Sequence, residues 1–145
     1  MLRMGRQRVA PLRLPHYIAA MPSLLLVMIG GAAGAGLRLE FGRFALGRLG
    51  PAFPWGTLGV NLIGGLLMGV LAGTMMSEGS GERPLWLLLA VGLLGGFTTF
   101  SAFSLDLFAM LERGRHGAAA GYVAGSVLGS LLLLAGGWWA ARAAA

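Results

Sequence analysis

Four long apolar segments alternate with short polar connections along this chain of 145 residues. The segments cover roughly residues 17–37, 55–76, 84–111 and 118–141. A helix needs about 20 apolar residues to cross the hydrocarbon core of a bilayer, so each segment is long enough to span a membrane. Glycine, proline and charged residues are concentrated in the connections, as is typical of helix ends. The pattern predicts an all-α protein with four transmembrane helices.

The composition supports this prediction and excludes a soluble protein. Hydrophobic residues make up 57% of the chain and charged residues only 11%, where a soluble domain carries about a quarter. The mean hydropathy is +0.78. The chain contains no cysteine, so disulfides, thiolate metal sites and cysteine nucleophiles are excluded. We interpret it as an integral membrane protein.

The third apolar segment contains a flexible, hydroxyl-rich stretch near its middle. Gly95 and Gly96 are followed by four hydroxyl residues, which are Thr98, Thr99, Ser101 and Ser104. Backbone at this depth must satisfy its own polar groups, and irregular backbone is tolerated there only where it lines protein or water. We therefore expect the third helix to be broken near the bilayer midplane, as in transport proteins that bind ions there. The alternative is a kinked helix that packs on a neighbour.

The N-terminus has two interpretations. Residues 1–20 form a basic tail, and residues 21–145 form a four-helix membrane domain. The basic stretch, apolar core and small residues around Ala33 also resemble a cleaved secretory signal. We favour an uncleaved helix because the small residues continue it as a packing face. Met21 is an alternative start of the chain.

Glycines recur at every fourth position in all four segments. Small residues at this spacing let helix backbones approach closely in lipid, so a tightly packed bundle is expected. The glycines concerned are Gly30 and Gly34, then Gly65, Gly69 and Gly73, then Gly92 and Gly96, then Gly121, Gly125 and Gly129.

The chain contains 11 arginines and no lysine, and its net charge is +6. The arginines flank the apolar segments instead of forming one surface, which suits membrane topology and lipid headgroups and argues against nucleic-acid binding. Four spans place six arginines on the side of the termini and five on the other. This balance gives no preferred orientation, so the chain could insert both ways and form an antiparallel dimer with itself.

Enzyme chemistry is not predicted. His16 and His116 lie in the tail and in a connection, and no serine has a histidine partner at a plausible depth. The chain carries no metalloprotease or phosphate-binding motif. A catalytic constellation therefore cannot be assembled from these residues.

Neutral polar residues instead form stripes along the predicted helices. Thr57 and Asn61 share one face of the second helix, and Tyr122, Ser126 and Ser130 share one face of the fourth. Such residues are either glue between helices or a hydrated path, because polar groups inside a membrane are expensive and usually functional. With the third-segment hydroxyls there are three stripes, which favours the hydrated path.

Three further residues have open roles. Hydroxyl and amide groups donate hydrogen bonds to anions. Phe100 and Phe103 lie three apart, and the positive edges of their rings could assist, although on spacing alone ordinary packing is the preferred explanation. Asp106 lies near the end of the third helix, where pairing with a loop arginine is an equal alternative.

Three motifs carry a resemblance to a known family. They are GGAAGAGLR at 30–38, GTLGVNLIG at 56–64 and GGFTTFSAFS at 95–104. In this order and spacing they closely resemble the Fluc (CrcB) fluoride channels of bacteria, over residues 21 to 142. The resemblance implies a multi-pass protein of the bacterial inner membrane that passively exports toxic cytoplasmic fluoride. It also implies an antiparallel, dual-topology homodimer with two pores.

The resemblance assigns roles to individual residues. Gly95 and Thr98 would hold a structural sodium ion on the dimer axis through their backbone carbonyls. Arg38, which ends the first motif, and Asp106 are further candidate site residues. The implied pore residues are Phe100, Phe103, Asn61, Thr57, Ser101, Tyr122, Ser126 and Ser130.

Departures from the family pattern and two other functions remain to be weighed. Ala102 and Asp106 replace threonine and glutamate, and Leu134 ends the hydroxyl stripe of the fourth helix early.

A small proton-coupled multidrug exporter would need a carboxylate within the first helix, for which Glu40 comes too late. A non-conducting membrane scaffold would form dimers without ion flux.

Overall fold

The computed structural model describes residues 16–75 and 83–144, with side chains from residue 22 onward. All regular secondary structure in this part is helical. Four helical segments are long and apolar enough to cross a membrane: Pro22–Leu49, Trp55–Met75, Pro84–Glu112 and His116–Ala143. The prediction of a four-span, all-α membrane protein is confirmed. Residues 1–15 of the expected tail and the connection 76–82 lie outside the described residues.

The first helix, α1, is longer than predicted. It is described from His16 to Leu49, so the expected end near Leu37 is wrong. No proline occurs between Arg38 and Leu49, and the arginines and leucines there are good helix formers, so the helix continues through Gly42 and Gly47. The helix ends where Gly50 adopts a φ of 75° and donates its N–H to Leu46 O at 3.0 Å, just before Pro51. Three arginines assigned to a loop are therefore helical: Arg38, Arg43 and Arg48.

The second helix, α2, agrees closely with its prediction. It extends from Trp55 to Met75. Pro54 immediately precedes it, and its carbonyl oxygen accepts the N–H of Leu58 at 3.0 Å. Proline is tolerated at a helix start because its missing N–H would have no intrahelical acceptor there.

The third segment contains two helices. The first, α3, begins as Pro84–Trp86, continues as a π-helix over Leu87–Leu94 and closes as Gly95–Phe97. Thr98 and Thr99 are extended, with ψ angles of 160° and 124°, and the second helix, α4, follows over Phe100–Glu112. Gly95 and Gly96 remain helical, so the interruption falls on the threonines rather than on Gly95.

The fourth apolar segment, α5, is one continuous helix over His116–Ala143 with a π-helical stretch at Gly125–Gly129. It packs along α2, while α1 packs along α3. The bundle is therefore two tight helix pairs, with α4 joining them.

Glycines explain how closely the helices of each pair approach. A Cβ added to Gly34 would collide with the backbone of α3 at Leu93 and Phe97, and one added to Gly96 would collide with Gly31 of α1. The predicted glycine faces of the first and third segments are thus used for packing. In α2, Gly65, Gly69 and Gly73 face the backbone of α5 in the same way.

The predicted glycine face of the fourth helix is wrong. An added Cβ at Gly121 would meet open space, and at Gly125 and Gly129 it would meet only leucine side chains of α2. The close backbone contact of α5 is instead at Gly137, where a Cβ would lie 2.5 Å from Leu66 O. Spacing alone could not distinguish Gly137 from the regular series.

We expect Gly34→Ala to lower the free energy of unfolding by about 1–3 kcal/mol, because the new methyl group overpacks against rigid backbone. Gly36→Ala is the matched control, since nothing lies within 4 Å of its Cβ position. Unfolding in detergent, followed by far-UV circular dichroism, measures both. Equal stability of the two variants would contradict the packing role of Gly34.

Candidate functional site

The interruption between α3 and α4 is fastened to α2 by one amide side chain. Asn61 Oδ1 accepts the N–H of Thr99 at 2.9 Å, and Asn61 Nδ2 donates to Thr99 O at 3.1 Å. An unsatisfied backbone group inside a membrane costs several kcal/mol. Asn61 therefore compensates both backbone groups of Thr99 that a continuous helix would have satisfied.

Thr99 itself starts α4. Its Oγ1 accepts the N–H of Ala102 at 3.2 Å, which is an N-cap, and it lies 3.2 Å from Ser101 Oγ. Thr98 remains attached to the end of α3, because its N–H and its Oγ1 both donate to Leu94 O. Our sequence analysis missed Thr99 as a site residue, although a hydroxyl residue just before a helical run is a known N-cap signal.

The backbone carbonyls of Gly95 and Thr98 are among those that lose their helical partners at this interruption. In a continuous helix Gly95 O would accept the N–H of Thr99, which goes to Asn61 instead. Thr98 O would accept the N–H of Ala102, which goes to Thr99 Oγ1. These are the two residues expected to bind sodium, and carbonyl oxygen is the ligand type that hard cations prefer.

Asp106 joins three helices through a single carboxylate oxygen. Its Oδ2 accepts Thr57 Oγ1 of α2 at 2.8 Å and Tyr122 OH of α5 at 3.2 Å. Within the described residues Asp106 forms no salt bridge, so pairing with a loop arginine is not observed. Both hydroxyl groups donate to Asp106 in this arrangement.

The two phenylalanines of the third motif have opposite environments. Phe103 is 6% exposed and packs on Tyr122, with ring centroids 5.1 Å apart. Phe53, which our sequence analysis did not single out, closes the other side of Tyr122 at 5.5 Å. Phe100 is 76% exposed in the single chain, yet its ring lies 5.5 Å from that of Phe103.

The hydroxyl stripe of α5 continues from Tyr122 into the bundle. Ser126 Oγ and Ser130 Oγ are buried and have no hydrogen-bond partner among the described residues. A buried hydroxyl without a partner costs about 1–3 kcal/mol. The glue interpretation requires such partners, so these two serines favour a path in which water or an ion supplies them.

A cavity of about 750 Å³ opens beside the interruption. It is lined by Thr57, Thr99 and Asp106 in its interior and by four arginines: Arg38, Arg43, Arg113 and Arg115. Arg43 pairs with Glu40 at 2.7 Å, and Arg115 donates to Ala52 O at 2.7 Å. Arg38 and Arg113 have no carboxylate partner among the described residues, so they remain available to attract anions.

The predicted site residues lie in five places in the structure. Thr57, Tyr122 and Asp106 meet in one cluster, and Asn61 meets the interruption. Ser126 and Ser130 form the unpartnered stripe. Gly95, Phe100 and Ser101 lie on the exposed side of the single chain, and Arg38 lines the cavity. Ala102 lines the same cavity, while Leu134 meets Gly69 in a helix contact.

This combination defines a class of protein. Four membrane-length helices contain buried hydroxyls without partners among the described residues, an interrupted helix and an arginine-lined cavity, and transport proteins place polar groups inside the membrane in this way. Residues 25–138 match the family described as CrcB-like protein, Camphor Resistance (CrcB). The chain belongs to this family.

Relatives of known assignment support the same membership. A protein of Chelativorans sp. is 53% identical over 82% of this chain and 95% of its own length. One of Sphingopyxis alaskensis is 49% identical over 81% of this chain and 93% of its own length. One of Novosphingobium aromaticivorans is 54% identical over 74% of this chain and 86% of its own length. Each relative carries the name fluoride-specific ion channel FluC.

We expect Asn61→Leu to release Thr99 and to speed hydrogen exchange of its amide, because leucine satisfies neither backbone group. The lost hydrogen bonds should also lower the free energy of unfolding by about 1–3 kcal/mol. Ser104→Ala is the control, since Ser104 Oγ only donates to Phe100 O within its own helix. Hydrogen-exchange mass spectrometry of the 97–102 peptide is the measurement, and unchanged exchange would contradict the fastening role.

Proposed function

We propose that this protein is a passive, fluoride-selective anion channel that releases cytoplasmic fluoride and so relieves its toxicity. Family membership and the names of the relatives support the choice of ion. The observation that carries the proposal is the pair of buried hydroxyls, Ser126 Oγ and Ser130 Oγ, that lack partners among the described residues. A hydroxyl donates readily to a small anion, and fluoride would meet that requirement while it passes.

The physical basis of conduction is the exchange of the ion's water for protein donors. The arginine-lined cavity raises the local anion concentration. Beyond it, fluoride would contact hydroxyls, the second N–H of Asn61 and the edges of Phe100 and Phe103, where the ring quadrupole is positive. None of these groups carries a full positive charge, so the ion is not trapped. Larger halides would fit this coordination poorly.

The driving force requires no coupling to another ion. Fluoride enters acidified cells as neutral hydrogen fluoride and dissociates inside. A membrane potential, negative inside, is worth about 2.3 kcal/mol per charge for each 100 mV and drives the anion outward. The protein's place would be the inner membrane of bacteria, with four spans.

The working unit would be a homodimer. Beside Gly95, α4 exposes the hydroxyl residues Ser101 and Ser104 next to Phe100, and polar side chains within a membrane span usually face protein or water instead of lipid. A second copy would cover this face and complete a path on each side, giving two pores. The balance of arginines on the two sides of the bundle favours an antiparallel, dual-topology arrangement.

A sodium ion would suit the carbonyl oxygens of Gly95 and Thr98, since both have lost their helical donors and Gly95 is exposed on the dimer face. When bound, the cation would supply positive charge that stabilises the interface and offsets nearby anions. Gly95 and Thr98 contribute only backbone, so the site would depend on the extended conformation that Asn61 holds.

The geometry supports neither of the two other candidate functions, the proton-coupled exporter and the non-conducting scaffold. A proton-coupled exporter needs a free carboxylate in the first helix; Glu40 does lie within α1, but it is exposed and paired with Arg43. A scaffold without conduction leaves the buried serine hydroxyls unexplained.

Fluoride efflux from liposomes tests the proposal directly. Vesicles containing the purified protein should release fluoride rapidly on addition of a potassium ionophore and retain chloride under the same conditions. A fluoride electrode follows the release. Retention of fluoride by vesicles with verified, inserted dimers would overturn the proposal.

The double variant Phe100→Ile/Phe103→Ile should abolish most of this release in the same assay, because isoleucine has no positive ring edge. Phe108→Ile serves as the control on an exposed position of the same helix. Size-exclusion chromatography checks that each variant remains assembled, and undiminished flux through the assembled double variant would remove the ring-edge role.

The serine stripe generates an independent prediction. Ser126→Ala and Ser130→Ala should lower fluoride flux at least several-fold without lowering stability, since neither hydroxyl has a partner to lose within the described residues. The interhelical-glue alternative predicts the reverse, a loss of stability with normal flux. Parallel measurements of thermal unfolding and efflux distinguish the two.

A further inference from the structure

A second cavity lies on the outside of the bundle, between α1 and α2. Its volume is about 590 Å³. Its walls are mostly apolar and include Phe41 and Phe44 of α1 and Leu58 and Leu62 of α2, with Trp55 and Arg48 also lining it. We call it the α1–α2 groove. Its size falls in the usual range for small-molecule sites, about 300–1,000 Å³.

The α1–α2 groove is largely distinct from the cavity of the candidate functional site, and the two share Trp55. The cavity beside the interruption uses Arg38, Gly42 and Leu46 of α1, whereas the groove uses Phe41, Phe44 and Arg48. These sets lie on different faces of the helix, given 3.6 residues per turn. The exposed polar face proposed to meet a second copy is on α4, which contributes nothing to the groove.

Arg48 gives the groove a charged end. It lies in the last turn of α1, and its guanidinium stands 5.5 Å from the centroid of the Phe44 ring, which is itself part of the wall. Within the described residues Arg48 has no carboxylate partner. Its aromatic support holds the charge over the groove, so an anionic group is the complementary ligand.

The position of the groove along the helices identifies the ligand class. Arg48 and Trp55 flank the connection at which α1 ends and α2 begins, the level at which arginine and tryptophan contact lipid headgroups. The apolar wall lies further along both helices, at acyl-chain depth. A ligand with a phosphate at one end and a hydrocarbon chain at the other fits both parts.

We propose that the α1–α2 groove binds one anionic phospholipid per subunit, with its phosphate on Arg48 and an acyl chain along Phe41, Phe44, Leu58 and Leu62. A net negative headgroup is preferred over a zwitterionic one because no acidic side chain of the groove compensates Arg48. The proposal depends on the membrane location of the chain and is independent of fluoride conduction.

Native mass spectrometry of the purified protein, released from detergent micelles with equal phosphatidylglycerol and phosphatidylcholine, tests this site. The wild-type protein should retain phosphatidylglycerol preferentially, at one lipid per subunit. Arg48→Gln should weaken that retention about fivefold, the effect expected for one basic residue at an anionic headgroup. The substitution is at an exposed helix end, so the fold should persist, and size-exclusion chromatography verifies it.

Arg142→Gln is the matched control. Arg142 also lies in the last turn of its helix and stands over an aromatic ring, that of Trp138 at 4.6 Å, but it lines neither cavity. Its substitution should leave phosphatidylglycerol retention unchanged. An equal loss in both variants, or no preference for phosphatidylglycerol in the wild type, would overturn the proposal.

A second copy of the chain is the competing occupant of the groove. The natural chain has no cysteine, so Phe44→Cys introduces a single thiol at an exposed wall position. Under mild oxidation in membranes the variant should remain free of disulfide-linked dimers. Efficient cross-linking through residue 44 would show that protein covers the groove and would refute the lipid assignment.

Discussion

The two hydrogen bonds between Asn61 and Thr99 are the interaction on which the rest of the site depends. A helix interrupted inside a membrane leaves backbone groups that lipid cannot satisfy. One amide side chain supplies both a donor and an acceptor to the same residue, which aspartate or leucine could not do. This allows Thr98 and Thr99 to remain extended, directs the carbonyls of Gly95 and Thr98 away from helical partners, and sets the start and direction of α4.

Close backbone packing and buried polar side chains occur in different parts of the bundle. Glycines bring α1 against α3 and α2 against α5, so that added methyl groups would meet backbone. These contacts exclude water and fix the helices. Where α4 joins the pairs, the hydrogen bonds of Asp106 with Thr57 and Tyr122 accompany the packing of Phe103 on Tyr122. Ser126 and Ser130 of α5 remain unpartnered within the described residues. Rigid apolar pairs thus support a polar interior that is free to exchange ligands.

Sequence reasoning predicted individual elements to different degrees, and the differences have physical causes. The sequence of α2 is flanked by Pro54 and by polar residues, so both ends of this helix could be predicted. The end of α1 was misplaced because arginines were interpreted as a loop, although arginine is a good helix former and no proline interrupts the helix before Gly50. The interruption was placed partly on Gly95, but glycine in a membrane helix serves close packing as readily as flexibility. The role of Gly137 had no signal in the spacing.

The sequence by itself determined the four spans, the membrane environment and the three motifs, because apolar length and local residue order carry that information without reference to neighbours. Only the tertiary structure decided which polar residues satisfy one another. Asn61 and Thr99 are far apart in the chain, as are Thr57 and Asp106, and a hydrogen bond between them depends on how α2 is positioned against α4. The same packing leaves Ser126 and Ser130 of α5 without a hydrogen-bond partner, because no donor or acceptor in the described part of the chain reaches either hydroxyl.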